Sequence, residues 1–429
     1  MKPIYLDNNA TTAVAPEVLE AMLPFLRERY GNPSSIHAFG GDVARDVERA
    51  RERLAALLGA ESPTEIVFTS CGTESDNTAI LSALEAYPDR RQFITTRVEH
   101  PAVLSLAHHL ERKGYEVVRV GVDRDGLLDL VELRAALSPR TAIVSAMWAN
   151  NETGVVFPVE ELARMAHEAG ALFHTDAVQA VGKIPIDLRR SAIDMLSLSG
   201  HKLHAPKGIG ALYVRRGTKF RPFLIGGHQE RNRRGGTENV PGIVALGAAA
   251  ELALRHIQEE QTAVRALRDR LENGILERIP DVIVNGHRER RLPNTSNVSF
   301  EFVEGEAILL LLDQAGICAS SGSACTSGSL EPSHVLRAMG VPFTFAHGSI
   351  RFSLSRYNTA EEIDRVLAEL PPIIARLREI SPFSRAHPVP DCAATCPTGC
   401  RGPKSCTPPA PPEDPDPPRR RFGPQHRRR

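Results

Sequence analysis

Short apolar runs alternate along the first half of the chain with stretches whose apolar positions recur at helical spacing, such as Pro101–Arg112 and Pro158–Ala169. Short runs that are apolar throughout are typical of strands buried on both faces of a sheet. Seven such strands are predicted: Glu65–Thr69, Gln92–Thr96, Glu116–Gly121, Thr141–Met147, Ala171–Thr175, Asp194–Leu198 and Ala211–Val214. The alternation predicts an α/β fold with a mainly parallel seven-stranded sheet and helices on both of its faces.

A different rhythm follows a long helical region from about Gly242 to Arg278. The next predicted strands are Val282–Val284, Ser296–Phe302 and Ser349–Leu354, and the next predicted helices are Gly305–Ala315 and Thr359–Ile380. We therefore predict a large domain at 15–255 and a smaller α+β domain formed by 1–14 and 256–383. Beyond it the chain is rich in proline and arginine, with too little apolar surface for a core, so we predict a disordered tail at 384–429.

Composition and charge exclude several classes of protein. The 52 basic and 52 acidic side chains balance overall, but the chain from Arg385 onward has nine basic and four acidic residues, which leaves the body at −5 and argues against nucleic-acid binding. Met1–Thr12 has no apolar signal segment, and the longest purely aliphatic run, Ala307–Leu312, is too short to span a membrane. Four of the seven cysteines lie in the tail, which does not fit a secreted disulfide scaffold. We expect a cytoplasmic protein with reduced thiols.

Lysine is rare, with seven residues in the chain, which narrows the search for one that binds a cofactor covalently. Lys202 comes soon after the predicted strand Asp194–Leu198, at a strand end where α/β sheets bind ligands. Asp176 closes the preceding strand, and its carboxylate could keep the pyridine nitrogen of pyridoxal phosphate (PLP) protonated. Gln179 follows three residues later and could donate to the ring hydroxyl. The plain alternatives are a surface lysine for Lys202 and a helix cap for Asp176.

Other polar residues near predicted strand ends could complete such a site. Gly72 and Thr73 open a helix directly after a strand, where free backbone N–H groups suit a phosphate. Ser199 and His201 add side-chain donors beside the candidate lysine. His100 precedes another helix, and its imidazole could stack on a cofactor ring and move protons. Each signal is weak alone, and His100 could equally be a hydrogen-bonded loop histidine.

Cys325 lies in a segment of small polar residues and glycines, 320–329, which predicts a mobile, exposed loop with an accessible thiol. Cys71 and Cys318 lie at apolar strand ends and are predicted to be buried. Arg351 falls within the apolar strand Ser349–Leu354, where an unpaired guanidinium is costly. We therefore predict that Arg351 faces a cleft and binds a carboxylate in a fork, with a structural ion pair as the alternative.

Five segments together resemble the NifS-type cysteine desulfurases of the class V aminotransferase family, which are PLP enzymes of fold-type I. The segments are 5–12 (YLDNNATT), 69–76 (TSCGTESD), 174–179 (HTDAVQ), 199–202 (SGHK) and 321–328 (SGSACTSG). The resemblance covers about Ile4 to Ser381, and the tail has no counterpart in the family's pattern.

The resemblance implies that the chain converts L-cysteine to L-alanine and holds the sulfur on Cys325 as a persulfide for iron–sulfur cluster assembly, with nitrogenase as the expected destination. Lys202 resembles the lysine that binds PLP covalently, and Asp176 the partner of the pyridinium nitrogen. The other implied roles are His100 as the stacking acid/base, Gln179 and Asn151 near the ring hydroxyl, Gly72, Thr73, Ser199 and His201 around the phosphate, and Asn8, Asn151 and Arg351 at the substrate.

The resemblance also implies partners. Thr237 resembles the residue that reaches the phosphate of the other subunit, which implies a homodimer. An iron–sulfur scaffold protein is the implied sulfur acceptor. Cys325 is implied, by resemblance alone, as a transient ligand of a cluster shared with that scaffold.

Two other classes of function stay open on the residues alone. One is a different PLP reaction, namely transamination, β-elimination or selenocysteine cleavage, although a thiol on a flexible loop argues against simple transamination. The other is a non-catalytic scaffold that keeps the fold, against which Lys202, Asp176 and Cys325 argue. The tail cysteines are open to three explanations, as incidental residues, metal or cluster ligands, or a thiol relay, and we expect the tail to be dispensable for desulfuration. They are Cys392, Cys396, Cys400 and Cys406.

Overall fold

Strands and helices alternate as the sequence predicts over residues 3–321 and 332–382, which are the residues that this computed structural model describes. The strands are β1 Ile4–Tyr5, β2 Ile66–Thr69, β3 Gln92–Thr96, β4 Glu116–Val120, β5 Thr141–Ser145, β6 Leu172–Asp176, β7 Met195–Ser199, β8 Gly210–Val214, β9 Val282–Val284, β10 Thr295–Phe300, β11 Ile317–Cys318 and β12 Ser349–Ser353. The helices are α1 Pro16–Arg27, α2 Ala38–Leu58, α3 Gly72–Ala86, α4 Pro101–Arg112, α5 Leu130–Ala136, α6 Val159–Glu168, α7 Gln229–Asn232, α8 Val240–Glu259, α9 Arg265–Arg278, α10 Gly305–Gln314, α11 His334–Ala338, α12 Phe343–Ala346 and α13 Ala360–Ile380. The predicted elements are confirmed, and their ends differ from those observed by at most two residues.

The mainly parallel seven-stranded sheet is confirmed, with the strand order β2-β8-β7-β6-β5-β3-β4. Only β8 runs antiparallel to its neighbours. Successive residues of one strand enter different cores: Ile66 and Phe68 pack in the core that contains α2, α6 and α8, whereas Val67 packs in the core that contains α3 and α4. Helices therefore cover both faces, which explains why most of these strands are buried along their whole length and rich in apolar residues.

A further core surrounds the three-stranded antiparallel sheet, whose order is β12-β10-β9. It includes Phe300 and Phe352 of the sheet and Leu271 and Leu370 of the helices that cover it, and β1 pairs in parallel with β11 beside it. The strand predicted to reach Phe302 ends at Phe300, because Phe302 adopts a left-handed φ of 67°. The domain boundaries proposed above stay predictions.

Helices α8 and α9 are joined by a π turn, Glu260–Val264, into one helical run of 39 residues. Within the described part of the chain it is the one helix that is long and apolar enough to span a membrane by length and composition alone. Of its most apolar window, 56% is buried inside the protein. Core helices pass the same test, so the run is weak evidence for a membrane span.

Candidate active site

A cavity of about 440 Å³ opens where the carboxyl ends of the parallel strands meet. Its volume lies in the range of ordinary small-molecule sites. Asp176 is the last residue of β6, Ser199 is the last residue of β7, and α3 begins shortly after β2. The structure therefore brings ten of the predicted site residues to one place. They are Gly72, Thr73, His100, Asn151, Asp176, Gln179, Ser199, His201, Lys202 and Arg351.

Asn8 is the predicted substrate residue that the structure places elsewhere. Its side chain is buried, and its amide donates to the carbonyl oxygens of Ser353 at 2.9 Å and Tyr5 at 3.4 Å. It borders a separate cavity of about 30 Å³, whereas its neighbour Asn9 borders the main cavity. The backbone thus holds the Asn8 amide, and Asn9 is the residue of this pair that lies at the site.

The predictions for Thr237 and for the cysteines of the body of the chain differ in how far the structure bears on them. Thr237 is exposed and does not border the cavity of its own chain. Cys71 and Cys318 were predicted to be buried, but both are only partly buried, and Cys71 borders the cavity. Cys325 lies outside the described residues, as do the tail cysteines, so its role stays a prediction.

The ammonium group of Lys202 is held by the N-terminal segment of the chain. Its Nζ donates to the carbonyl oxygens of Asn9 at 2.5 Å and Ala10 at 2.6 Å. The carbonyl of Asn9 also accepts a hydrogen bond from Nε2 of Gln179 at 3.0 Å. Two backbone carbonyls thus hold the amine of Lys202 in the cavity wall rather than on a surface loop.

Asp176 has the surroundings of a residue that receives a cationic ligand atom. Asp176 is 6% exposed, and its Oδ1 accepts from the backbone N–H of Val178 at 2.9 Å in a turn, so it does not cap a helix as the alternative had it. Burial raises the pKa of its carboxyl group, while His100 and Lys202 lower it. The carboxyl group of Asp176 borders the cavity, so a protonated pyridine nitrogen fits beside it.

The start of α3 has the features of a phosphate site. Cys71, at the N-cap position, provides no side-chain cap, so the first N–H groups of the helix are left for a ligand. A Cβ atom at Gly72 would lie 2.9 Å from Cγ2 of Val178, so glycine allows this turn to pack closely on the segment after Asp176. Side-chain donors border the same cavity, namely those of Thr73, Ser199 and His201. These groups fit the phosphate of PLP.

His100 caps α4 and also borders the cavity, so the two explanations considered for it are compatible. Its Nδ1 accepts from the backbone N–H of Ala102 at 3.1 Å. Burial lowers the pKa of His100; Asp176 raises it, and Lys202 lowers it further. With Nδ1 as an acceptor, the neutral ring carries its proton on Nε2 and can act as an acid.

Arg351 forms a structural ion pair and also faces the cavity, so the two roles considered for it are compatible. Its Nη2 donates to Oδ1 of Asp7 and its Nη1 to the carbonyl oxygen of Asn151, each at 2.9 Å. The side chain is nevertheless part of the cavity lining, and its buried Nε has no hydrogen-bond partner within the described structure. The guanidinium is held in place, and these two bonds use two of its five N–H donors, so donors that include Nε remain for a ligand carboxylate.

Sequence reasoning missed two buried acids next to this site. Asp76 borders the cavity one turn after Gly72, and neither Oδ1 of Asp76 nor Oε2 of Glu99 has a hydrogen-bond partner within the described structure. Burial raises the pKa of Glu99 to about 8, and burial together with the nearby Asp176 raises the pKa of Asp76 well above its usual range. The sequence did contain a signal for Asp76: it lies three residues before the buried Ala79 and therefore on the same, apolar face of α3.

Glu99→Gln is expected to raise the melting temperature of the apoprotein relative to the original protein by about 2 °C more at pH 8 than at pH 5. The pKa of Glu99 rises from 4.5 when unfolded to about 8 when folded. Between these pH values the folded protein holds a proton that the unfolded chain releases, so stability falls as the pH rises through this window. Glutamine does not ionise and avoids that loss.

Thermal melts at the two pH values measure this difference, and Glu85→Gln on the exposed side of α3 is the matched control. The control should differ from the original protein by the same amount at both pH values. If the melting-temperature difference between Glu99→Gln and the original protein were also equal at pH 5 and pH 8, Glu99 would already be ionised at pH 5 in the folded protein.

Comparisons with known proteins agree with this geometry. The family model described as Aminotransferase class-V matches residues 4–366. A cysteine desulfurase of Gluconacetobacter diazotrophicus is 68% identical over 384 residues, which are 89% of this chain and 96% of that protein. The cysteine desulfurase NifS of Azotobacter vinelandii is 62% identical over 392 residues, 91% of this chain and 98% of that protein. The solved structure of a NifS-like protein has a TM-score of 0.82 and 42% identity, and the match covers 87% of this chain and 100% of the other.

Proposed function

The chain belongs to the class-V aminotransferase family as a PLP-dependent cysteine desulfurase, and from this premise we propose how its residues divide the reaction. Lys202 binds PLP covalently and removes the α-proton of L-cysteine. The thiolate of Cys325 then attacks the substrate sulfur and forms an S–S bond. The Cβ–S bond breaks with its electron pair left on Cβ, which takes up a proton, and once Cα has regained a proton the carbon skeleton leaves as L-alanine. The supporting observation is that Lys202, Asp176, His100 and the first turn of α3 border one cavity.

The remaining residues bind the cofactor and the substrate. PLP, when bound, supplies a ring that stores the electrons released at Cα. Asp176 holds the proton on the pyridine nitrogen, and the neutral His100 provides an N–H group beside the ring. The first turn of α3, with Ser199 and His201, binds the phosphate. This arrangement leaves Arg351 for the substrate carboxylate.

The assay that tests this function is incubation of the purified PLP-loaded protein with L-cysteine, with measurement of alanine and of protein-bound sulfane sulfur. Equal amounts of alanine and transferable sulfur support desulfuration. Pyruvate and sulfide as products would support β-elimination instead, and 3-mercaptopyruvate would support transamination. A protein that binds no PLP and forms no product would be a non-catalytic scaffold.

Arg351→Lys is expected to raise KM for L-cysteine by about tenfold or more while kcat changes less, because an ammonium group cannot bind a carboxylate in a fork. Steady-state alanine formation over a range of cysteine concentrations measures both constants. Asp7→Asn is the matched control, since it removes the ion-pair partner and keeps the guanidinium. A lower kcat with unchanged KM in Arg351→Lys would assign Arg351 to a structural role.

A homodimer accounts for the exposed position of Thr237. The preceding Gly235 donates its N–H to the carbonyl of Leu224 at 2.9 Å, which ties the Thr237 turn to a segment with exposed apolar side chains. Phe223 is 43% and Ile225 is 89% exposed. We propose that this surface is covered by the second subunit, where Thr237 reaches the phosphate bound by the other chain.

The acceptor of the sulfur is inferred mainly from the cysteine desulfurases that the chain resembles. We propose that Cys325 passes its persulfide sulfur to an iron–sulfur scaffold protein in the cytoplasm, in the service of nitrogenase. Cys325 is then also the residue that could ligate a transient cluster shared with that scaffold. The similarity to NifS of Azotobacter vinelandii supports this direction.

A further inference from the structure

A buried lysine outside the proposed catalytic set lies behind the cavity. Lys183 is 6% exposed, and its Nζ donates to Oε1 of Gln179 at 3.1 Å and to the carbonyl oxygen of Gln179 at 3.2 Å. Gln179 borders the cavity, and its Nε2 donates to the carbonyl of Asn9 at 3.0 Å. The two ends of the Gln179 amide are therefore held by two different partners.

The chemistry of these two partners determines which way the amide lies. A lysine ammonium group has three donors and no acceptor, so it binds the oxygen of an amide and never its NH₂ group. The carbonyl of Asn9 can only accept, so it binds the NH₂ group. An amide that is held by one hydrogen bond alone can give up that bond and turn by half a rotation, because its oxygen and nitrogen ends are nearly the same size, whereas two opposite partners hold both ends.

We propose that Lys183 is a positioning residue that fixes the Gln179 amide, so that its NH₂ group and not its oxygen is available to the ring oxygen of PLP. The inference rests on the proposed function, in which Gln179 lies near the ring hydroxyl. A turned amide would place a carbonyl oxygen next to a negatively charged ring oxygen, and the two would repel. Lys183 thereby keeps a donor on that side of the cofactor.

The surroundings of Lys183 keep its amine in a defined place. Burial is the main reason that the pKa of Lys183 is lowered to about 8; Glu260, in the π turn between α8 and α9, raises it, and Arg351 lowers it further. The next residue of the turn, Gln261, donates its side-chain amide to the carbonyl oxygen of Lys183. The π turn thus holds the backbone of Lys183 and supplies an opposing charge.

The test is the pH titration of the visible absorbance of PLP bound to Lys183→Met, in the absence of substrate. Loss of the Gln179 donor leaves more negative charge on the ring oxygen of PLP. This charge holds more tightly the proton on the nearby nitrogen that joins PLP to Lys202. The titration midpoint should therefore rise by about one pH unit, because a hydrogen bond and one pKa unit correspond to similar free energies. Lys207→Met, at an exposed position, is the matched control and should keep the original midpoint.

A double-mutant cycle separates positioning from general stability. Gln179→Ala should raise the midpoint by a similar amount, and the double variant Lys183→Met/Gln179→Ala should show no further rise. Additive shifts, or a Lys183→Met protein with a lower melting temperature and an unchanged midpoint, would overturn the proposal. If Lys183→Met does not fold, Lys183→Gln takes its place: its amide can donate or accept, so a smaller rise is expected, and an unchanged midpoint would contradict the inference. Absence of PLP binding or alanine formation in the original protein would instead refute the proposed function.

Discussion

Lys202→Ala is expected to lose the visible absorbance of covalently bound PLP and to form alanine from L-cysteine about 10⁴-fold more slowly. Lys202 serves both as the covalent attachment and as the base, so its loss removes two contributions at once. In the structure its amine lies in the cavity wall, held by the carbonyls of Asn9 and Ala10. Noncovalent PLP binding should persist, because the phosphate and pyridine sites do not depend on this amine.

Borohydride reduction of the PLP-loaded protein, followed by peptide mapping, identifies the attached residue directly. A phosphopyridoxyl group is expected on Lys202. Lys207 is the nearest lysine in sequence and is exposed, so Lys207→Ala is the control and should keep both absorbance and turnover. A label on Lys207, or full absorbance in Lys202→Ala, would show that the attachment has been misassigned.

Cys325→Ala is expected to keep normal PLP content and to reduce alanine formation by about 10³-fold, without any protein-bound sulfane sulfur. The thiol acts after the cofactor has bound the substrate, so its removal should leave the binding of L-cysteine intact. Spectra recorded on addition of L-cysteine should still change. Alanine and sulfide formation at the original rate, under the same reductant, would exclude Cys325 as the nucleophile.

The cavity itself offers a competing thiol, which makes a second variant necessary. Cys71 borders the cavity and is only partly buried, whereas Cys318 does not border it. Cys71→Ala and Cys318→Ala should both retain persulfide formation, and mass spectrometry of the peptides should find the added sulfur on Cys325. Added sulfur on Cys71 would move the nucleophile to the start of α3.

Three buried carboxyl groups in one region make the charge of the site a matter of tertiary packing. Asp76, Glu99 and Asp176 are all buried, and burial raises the pKa of each. A buried carboxylate is tolerated when a cation faces it. Lys202 and the protonated ring of PLP are too few cations to balance three carboxylates. We expect Asp176 to be the ionised member of the three, because His100 and Lys202 both lower its pKa.

The sequence by itself determined the elements and the place of the site. Strands that are buried on both faces are rich in apolar residues, so β2, β3 and β5 to β8 could be recognised from short, mainly apolar runs. Parallel strands end at the same edge of a sheet, so polar residues at those ends, such as Asp176 and Ser199, were expected to meet. The same positional logic led to Lys202 and to the first turn of α3.

Only the tertiary structure decided which atoms of those residues face one another. Lys202 is held by Asn9, 193 positions away, and Arg351 is paired with Asp7, 344 positions away. Neither periodicity nor local spacing carries information about such contacts, because they depend on how β1 and the long helices pack around the sheet. For the same reason the sequence could not tell Asn8 from Asn9: adjacent residues share a sequence context, but the structure places Asn9 at the main cavity and ties the Asn8 amide to the backbone of β12. Of the two partners of Gln179, Lys183 lies four positions further along the chain, whereas Asn9 lies 170 positions away and was brought to Gln179 only by the tertiary fold.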